Sequence, residues 1–206
     1  MDVNRFKQRP IMGILRAAKL EMIEPLVEAV VLAGLETIEI TMNTSGAAEL
    51  IQRMVKAANQ RLTVGAGTVL TSDELRAALD AGASFIVSPT LVPEVAEYCV
   101  KQAIPVFPGA FSPQEIYHAW GAGATMVKVF PAKFFGPGYI KEIKGPFADI
   151  ELLACGGVTA DNIQSFFSSG ASAVAFGGSV FKKEWLEKKE YSRIEQGIKA
   201  LIEKLN

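Results

Sequence analysis

The chain has 206 residues, half of them hydrophobic, with 21 basic against 22 acidic side chains and a formal net charge of −1. That balance excludes the basic excess of a general nucleic-acid binder, and the length suits one domain over residues 1–206. One histidine (His118), two cysteines (Cys99 and Cys155), no CxxC or HExxH spacing, no apolar signal core in MDVNRFKQRP and no membrane-length apolar run point to a cytoplasmic protein without metal, cofactor, disulfide framework or membrane partner.

Taken in order, Asn4–Gln8 is helical and suited to capping one end of a barrel, and Ile11–Leu15 is the first buried strand. A helical pattern over Met22–Ala33 then leads into a unit that recurs along the chain. Ala33-Gly34 followed by Leu35–Ile40 is echoed at Ala81-Gly82, at Ala122-Gly123 and at Ser169-Gly170. Each copy is a helix closed by glycine, a short turn and a buried strand. The four glycines lie 48, 41 and 47 residues apart. One further strand candidate falls in each interval, at Thr63–Gly67, Ile104–Pro108 and Ile150–Ala154, making eight strands in all. Helical patterns at Gly46–Asn59, Ser72–Ala81, Val92–Gln102, the segment PQEIYHAWGAG and Asp161–Ser168 separate them. His118 lies in the segment PQEIYHAWGAG and reads as a surface or packing residue. Alternating strands and helices imply right-handed βαβ units and a parallel sheet. Eight of them at this density predict an α/β fold, a small (β/α)8 TIM barrel with an N-terminal helix. A doubly wound open sheet is the competing architecture, but no G-x-G-x-x-G follows the first strand. The last stretch, Glu184–Leu205, carries Trp185, Ile194, Ile198, Leu201 and Leu205 at helical spacing, a packing stripe.

Chemistry in such barrels lives where strands end. The stretch Thr125–Ala132 is a buried strand with a lysine inside it: Met126, Lys128 and Phe130 share one face, Val127 and Val129 the other. An ammonium among Met and Phe is costly to desolvate, which favours the neutral, nucleophilic amine. Arg16 ends the first strand and Glu39 lies in the second, so a cation, a carboxylate and a second cation converge on one mouth. Gly156-Gly157 and Gly177-Gly178-Ser179 follow the seventh and eighth strands, where barrels commonly hold phosphate on backbone N–H groups. Lys133, just past the proline, is the alternative nucleophile and is expected to face solvent.

Seven segments in order, Gly13-Ile14-Leu15-Arg16, Ile38-Glu39-Ile40-Thr41, Val64–Val69, Val87-Ser88-Pro89, Lys128–Ala132, Gly156-Gly157-Val158 and Gly177-Gly178-Ser179, resemble the 2-keto-3-deoxy-6-phosphogluconate (KDPG) / 4-hydroxy-2-oxoglutarate (KHG) aldolases over nearly the whole chain. The resemblance implies a cytoplasmic class I aldolase, metal-free and homotrimeric. Such an enzyme cleaves a phosphorylated 2-keto-3-deoxy sugar acid to pyruvate and glyceraldehyde 3-phosphate. By position, Lys128 matches the Schiff-base lysine and Glu39 the general acid/base. Arg16 and Thr68 match the carboxylate-binding positions, Pro89 and Phe130 the pocket wall, and Gly156, Gly157, Gly177, Gly178 and Ser179 the phosphate end. Two departures stand out: Asn43 where some members carry arginine, and Ala154-Cys155 where gluconate-type members carry Pro-Thr. Asn43 is a feature of the branch acting on the 6-phosphogalactonate epimer, whose members tend to carry an apolar residue at the Cys155 position. Cys155 lies between the two branches, and the gluconate form is the expected substrate. Cleavage of 4-hydroxy-2-oxoglutarate to pyruvate and glyoxylate is a further expected activity.

The rivals are a sugar-phosphate isomerase or epimerase on the same barrel and a non-catalytic phosphate-binding barrel. The first would want paired carboxylates or a metal, and the second has no use for a buried lysine facing a glutamate.

Overall fold

A computed structural model describes residues 1–205. Nine strand segments, β1 (Ile11–Leu15), β2 (Thr37–Thr41), β3 (Thr63–Gly67), β4 (Ile86–Val87), β5 (Val106–Phe107), β6 (Gly109–Ala110), β7 (Val127–Val129), β8 (Leu152–Cys155) and β9 (Ala173–Phe176), form one parallel sheet in the order β5-β4-β3-β2-β1-β9-β8-β7-β6. The two ends of that order are the two halves of a single chain segment. Val106 and Phe107 pair with Ile86 and Val87, and Gly109 and Ala110 pair with Lys128 and Val129. Pro108 divides them because it has no N–H to give the ladder, but its carbonyl accepts from Lys128 N at 2.9 Å. The sheet therefore closes through Val106–Ala110, and the nine segments make the eight strands expected of the barrel.

Helices α1 (Val3–Gln8), α2 (Ile23–Leu32), α3 (Ala47–Ala58), α4 (Ser72–Asp80), α5 (Pro93–Lys101), α6 (Pro113–Gly121), α7 (Gly136–Lys144), α8 (Ile163–Ser168), α9 (Lys183–Glu187) and α10 (Tyr191–Glu203) surround it. The sequence expectations hold closely for α3, whose caps are Gly46 and Asn59, both left-handed. Three details differ. The fifth strand continues through Pro108 to Ala110, helix α7 was not anticipated, and the C-terminal stretch is two helices. The break falls at Lys189, which has a left-handed φ of 56° and no glycine to announce it. No helix among the described residues is long and apolar enough to cross a membrane.

The barrel lumen and the helix layer are two separate apolar clusters. Val127, Val129, Ile38 and Ile40 pack outward under the helices, while Met12, Phe85, Phe107, Met126 and Leu153 fill the lumen. Alternation along each strand produces this division directly. Phe6 of α1 closes the N-terminal end of the lumen, 3% exposed and edge-on to Phe107 with ring centres 6.0 Å apart. Ion pairs Arg5–Glu36 (2.8 Å) and Lys7–Glu151 (2.7 Å) flank it at the surface. Exposed pairs of this kind contribute at most ~1 kcal/mol, so Phe6 is the main anchor of α1. With that end plugged, polar chemistry is confined to the other mouth.

Candidate active site

The inward face of β2 reads Thr37, Glu39, Thr41, and all three are buried. Glu39 and Lys128 are the only charged side chains buried among the described residues, at 1% and 5% exposure. Two glycines on the inward face of β3 leave room in the lumen, one for the Phe85 ring and one for Glu39. A Cβ added to Gly65 would meet the Phe85 ring at 2.5 Å, and one added to Gly67 would meet Glu39 Oε1 at 2.4 Å. Neither Glu39 oxygen has a protein hydrogen-bond partner. Burial raises its pKa above the ordinary carboxylate range, and the positive charges of Lys128 and Arg16 oppose that shift.

Lys128 stands on β7 above Met126, and its Nζ lies 5.4 Å from the centre of the Phe130 ring. Its ladder partner is Gly109, where a Cβ would meet the Pro89 carbonyl oxygen at 2.1 Å. Gly109 therefore lets the turn after β4 pack directly against β6, the strand segment beside the lysine's own. Lys133 is exposed, with its Nζ over the Phe134 ring at 5.2 Å, so it is not the buried amine. His118 is exposed as well.

Eight of the sequence-predicted residues, Arg16, Phe130, Cys155, Gly156, Gly157, Gly177, Gly178 and Ser179, line one cavity of about 720 Å³ at the C-terminal mouth. Cys155 lies two residues beyond Leu153, the ladder partner of Lys128, so the lysine sits one layer deeper than the cavity wall. Burial pushes the Cys155 thiol pKa up, with Lys128 opposing most strongly, which makes it a neutral, weak donor rather than a thiolate. Asn43, Thr68 and Pro89 are not part of this lining. They follow β2, β3 and β4, on the other side of the mouth.

The two glycine turns differ in kind. Gly156 and Gly157 have φ of 96° and 79°, and a Cβ on Gly157 would meet Lys133 Cβ at 2.6 Å, so this turn requires glycine. Gly178 has neither a left-handed φ nor any neighbour that a Cβ would touch. In the second turn, Val180 N and Phe181 N both donate to Gly177 O, while the buried Ser179 hydroxyl has no protein partner.

Thr68 holds a left-handed φ of 56°, unusual for a β-branched residue. Such strain costs about 1–3 kcal/mol and persists only where neighbours enforce it. Here Val69 N donates to Val87 O (3.2 Å) and Ser88 Oγ donates to Val69 O (2.7 Å). Reading the sequence missed Ser88 and Gly109 as supports. The Gly65-Ala66-Gly67 spacing was the available signal for the space beside Glu39, since two glycines two apart in a strand vacate one face.

Residues 3–197 match the family described as KDPG and KHG aldolase. The chain belongs to that aldolase family. It is 35% identical to a probable 2-dehydro-3-deoxy-6-phosphogalactonate aldolase of Rhizobium meliloti, over 85% of this chain and 83% of that protein. It is 30% identical to the 2-dehydro-3-deoxy-phosphogluconate aldolase of Haemophilus influenzae, over 98% and 95% of the two chains. Among solved structures, KDPG aldolase of Legionella pneumophila, with pyruvate captured as a covalent carbinolamine intermediate, superposes with a TM-score of 0.86 at 27% identity, covering 93% of each chain. The family match spans all three charged residues of the mouth and both glycine turns.

Two predictions test this aldolase site. Gly67→Ala should push the Glu39 carboxylate aside and lower aldol cleavage by at least ~10²-fold, with ~1–3 kcal/mol of overpacking in urea unfolding. Near-normal turnover would show that the carboxylate's position is not critical. The second concerns pH. A carboxyl with a raised folded pKa binds its proton more tightly in the fold than in the unfolded chain. Its contribution to stability is therefore fully present below the ordinary Glu value of about 4.3 and falls as pH rises toward the folded value. The stability difference between the parent and Glu39→Gln should tilt against the parent across that window. A flat difference would mean that Glu39 titrates as an ordinary glutamate.

Proposed function

We propose that this aldolase works through a Schiff base on Lys128, with Glu39 as its acid and base. The observation that carries the reading is the isolation of one buried lysine and one buried glutamate, whose oxygens have no protein hydrogen-bond partner, in the same lumen. Neutral Lys128 adds to the C2 ketone of a 2-keto-3-deoxy sugar acid to give a carbinolamine. Glu39 donates the proton with which the C2 hydroxyl leaves as water, forming an iminium. The glutamate, now a carboxylate, takes the C4 hydroxyl proton. The C3–C4 bond then breaks, its electrons pass to the iminium, and the aldehyde leaves. Protonation of the enamine at C3 and hydrolysis return Lys128 and release pyruvate. A raised Glu39 pKa suits a group that must both give and take a proton.

Arg16 and Thr68 hold the substrate carboxylate in this reading, with Arg16 able to bind it bidentately. Phe130, Pro89 and Asn43 bound the pocket, while Gly156, Gly157, Gly177, Gly178 and Ser179 take the phosphate. The reaction is cleavage of 2-keto-3-deoxy-6-phosphogluconate to pyruvate and glyceraldehyde 3-phosphate. The 6-phosphogalactonate epimer is the alternative substrate, and 4-hydroxy-2-oxoglutarate, cleaved to pyruvate and glyoxylate, a lesser one. No metal or cofactor enters the mechanism. One domain, assembled as a homotrimer in the cytoplasm, completes the proposal, on the strength of the family resemblance.

Relatives bear names from both epimer branches, so Cys155 becomes the residue to test. A site that hydrogen-bonds one C4 hydroxyl strongly rejects the other, because a buried group is then left unpaired. A neutral thiol gives little such leverage, and kcat/KM for the two epimers should lie within ~10-fold, or ~1.4 kcal/mol of barrier. Cys155→Thr should move preference toward the gluconate form and Cys155→Val toward the galactonate form. A parent ratio above ~10³, unmoved by either substitution, would place selectivity elsewhere.

A further inference from the structure

Arg16 stands just past the end of a strand, on an exposed turn, with no ion pair to hold its side chain among the described residues. Its direction therefore depends on the backbone beneath it. The β1–β2 ladder ends at Leu15 paired with Ile40. Beyond that pair Ala17 adopts a left-handed φ of 56°, a conformation that alanine takes only under constraint. The constraint is a side chain. Ala17 N–H donates to Thr44 Oγ1 at 3.2 Å, as though the hydroxyl extended the β2 edge by one more rung. Thr44 Oγ1 in turn shares a hydrogen bond of 3.1 Å with Thr41 Oγ1, and both residues are buried, at 8% and 0% exposure. Thr41 sits on the inward face of β2, two residues beyond Glu39. The Thr44 backbone is fixed as well: its N–H donates to Thr41 O (2.9 Å) and its carbonyl accepts from Ala47 N (3.1 Å) at the start of α3. A short polar relay thus runs from the strand that carries the buried glutamate to the turn that carries the arginine.

From this relay we infer that Thr44, backed by Thr41, is a positioning residue for Arg16: it sets the turn from which the guanidinium reaches the substrate carboxylate. The inference rests on the proposed carboxylate role of Arg16. Thr44 touches neither substrate nor reacting atoms, so its removal moves a binding group without altering the chemical groups. Losing the hydroxyl leaves the Ala17 N–H without its acceptor and frees Ala17 to leave the left-handed region. Arg16 then samples many directions where one is productive. Binding of the keto acid weakens, while the bound complex reacts at much the same rate, because Lys128 and Glu39 are held by other parts of the barrel.

The test uses the full-length protein and pyruvate as the probe, with borohydride trapping of the imine measured against pyruvate concentration, alongside KM and kcat for cleavage. Thr44→Val preserves shape and removes the hydroxyl. It should raise the half-saturating pyruvate concentration and the cleavage KM by about tenfold, with kcat within about threefold of the parent. Thr44→Ser, which keeps the hydroxyl, should bring KM back to within about twofold. Arg16→Gln is the companion variant: it should raise KM on its own, and in its background Thr44→Val should add nothing. If Thr44→Val lowers the melting temperature but leaves KM unchanged, or if its effect adds in full to that of Arg16→Gln, Thr44 is only a loop support and the inference fails. If Arg16→Gln itself leaves pyruvate saturation unchanged, the carboxylate role of Arg16 fails first, and the inference falls with it.

Discussion

The constraint on which this structure turns is the burial of a lysine and a glutamate in one barrel lumen, with no protein hydrogen bond to either carboxyl oxygen. Desolvating a single ion costs several kcal/mol even after relaxation, and neither Glu39 oxygen has a protein hydrogen-bond partner to offset it. A fold selected for stability alone would place leucine or valine at either position. The surrounding apolar packing sustains the arrangement: Phe6 and Phe107 seal one end of the lumen, and the helix-facing residues of each strand form a second, larger core. In the proposed mechanism the glutamate in this apolar setting supplies the acid–base chemistry and the buried lysine the nucleophile.

Glycine is the means by which the lumen admits these groups. Gly65 makes room for the Phe85 ring, Gly67 for the Glu39 carboxylate and Gly109 for the turn carrying Pro89. Strand glycines are locally unfavourable, and here each one corresponds to a bulky or charged neighbour leaning into the space that it leaves. The strained, non-glycine positions play the complementary part. Ala17 and Thr68 both carry left-handed backbones at strand ends on the mouth, and each is enforced by a neighbouring hydroxyl, Thr44 for the first and Ser88 for the turn after the second.

Much of this was legible in the sequence, because strand alternation is a strict rule. Met126 falls in the lumen, Lys128 above it and Phe130 at the mouth, while Val127 and Val129 fall under the helices, as the two-residue period requires. The first and third strands have the expected bounds, Ile11–Leu15 and Thr63–Gly67. What escaped was tertiary. Pro108 marks the end of a strand when only local propensity is weighed, yet the barrel needs that segment to continue and pair on both sides. The break at Lys189 has no glycine or proline to signal it. Thr44 escaped because its partner, Ala17, is 27 residues away, and the period of β2 gives no hint that a hydroxyl beyond its end would serve β1. Asn43, Thr68 and Pro89 came from likeness to the family, and their separation from the cavity lined by the glycine turns depends on which strands face each other across the mouth.

The central claim is that the buried lysine, not a surface one, is the covalent nucleophile, and that the buried glutamate serves it. Peptide mass spectrometry after borohydride reduction with pyruvate tests this most directly, comparing the parent with Glu39→Gln. The account predicts one reduced pyruvyl adduct on Lys128 in both proteins, formed more slowly in the variant because carbinolamine dehydration lacks its acid. An adduct on Lys133, or equal trapping rates with and without the Glu39 carboxyl, would contradict it.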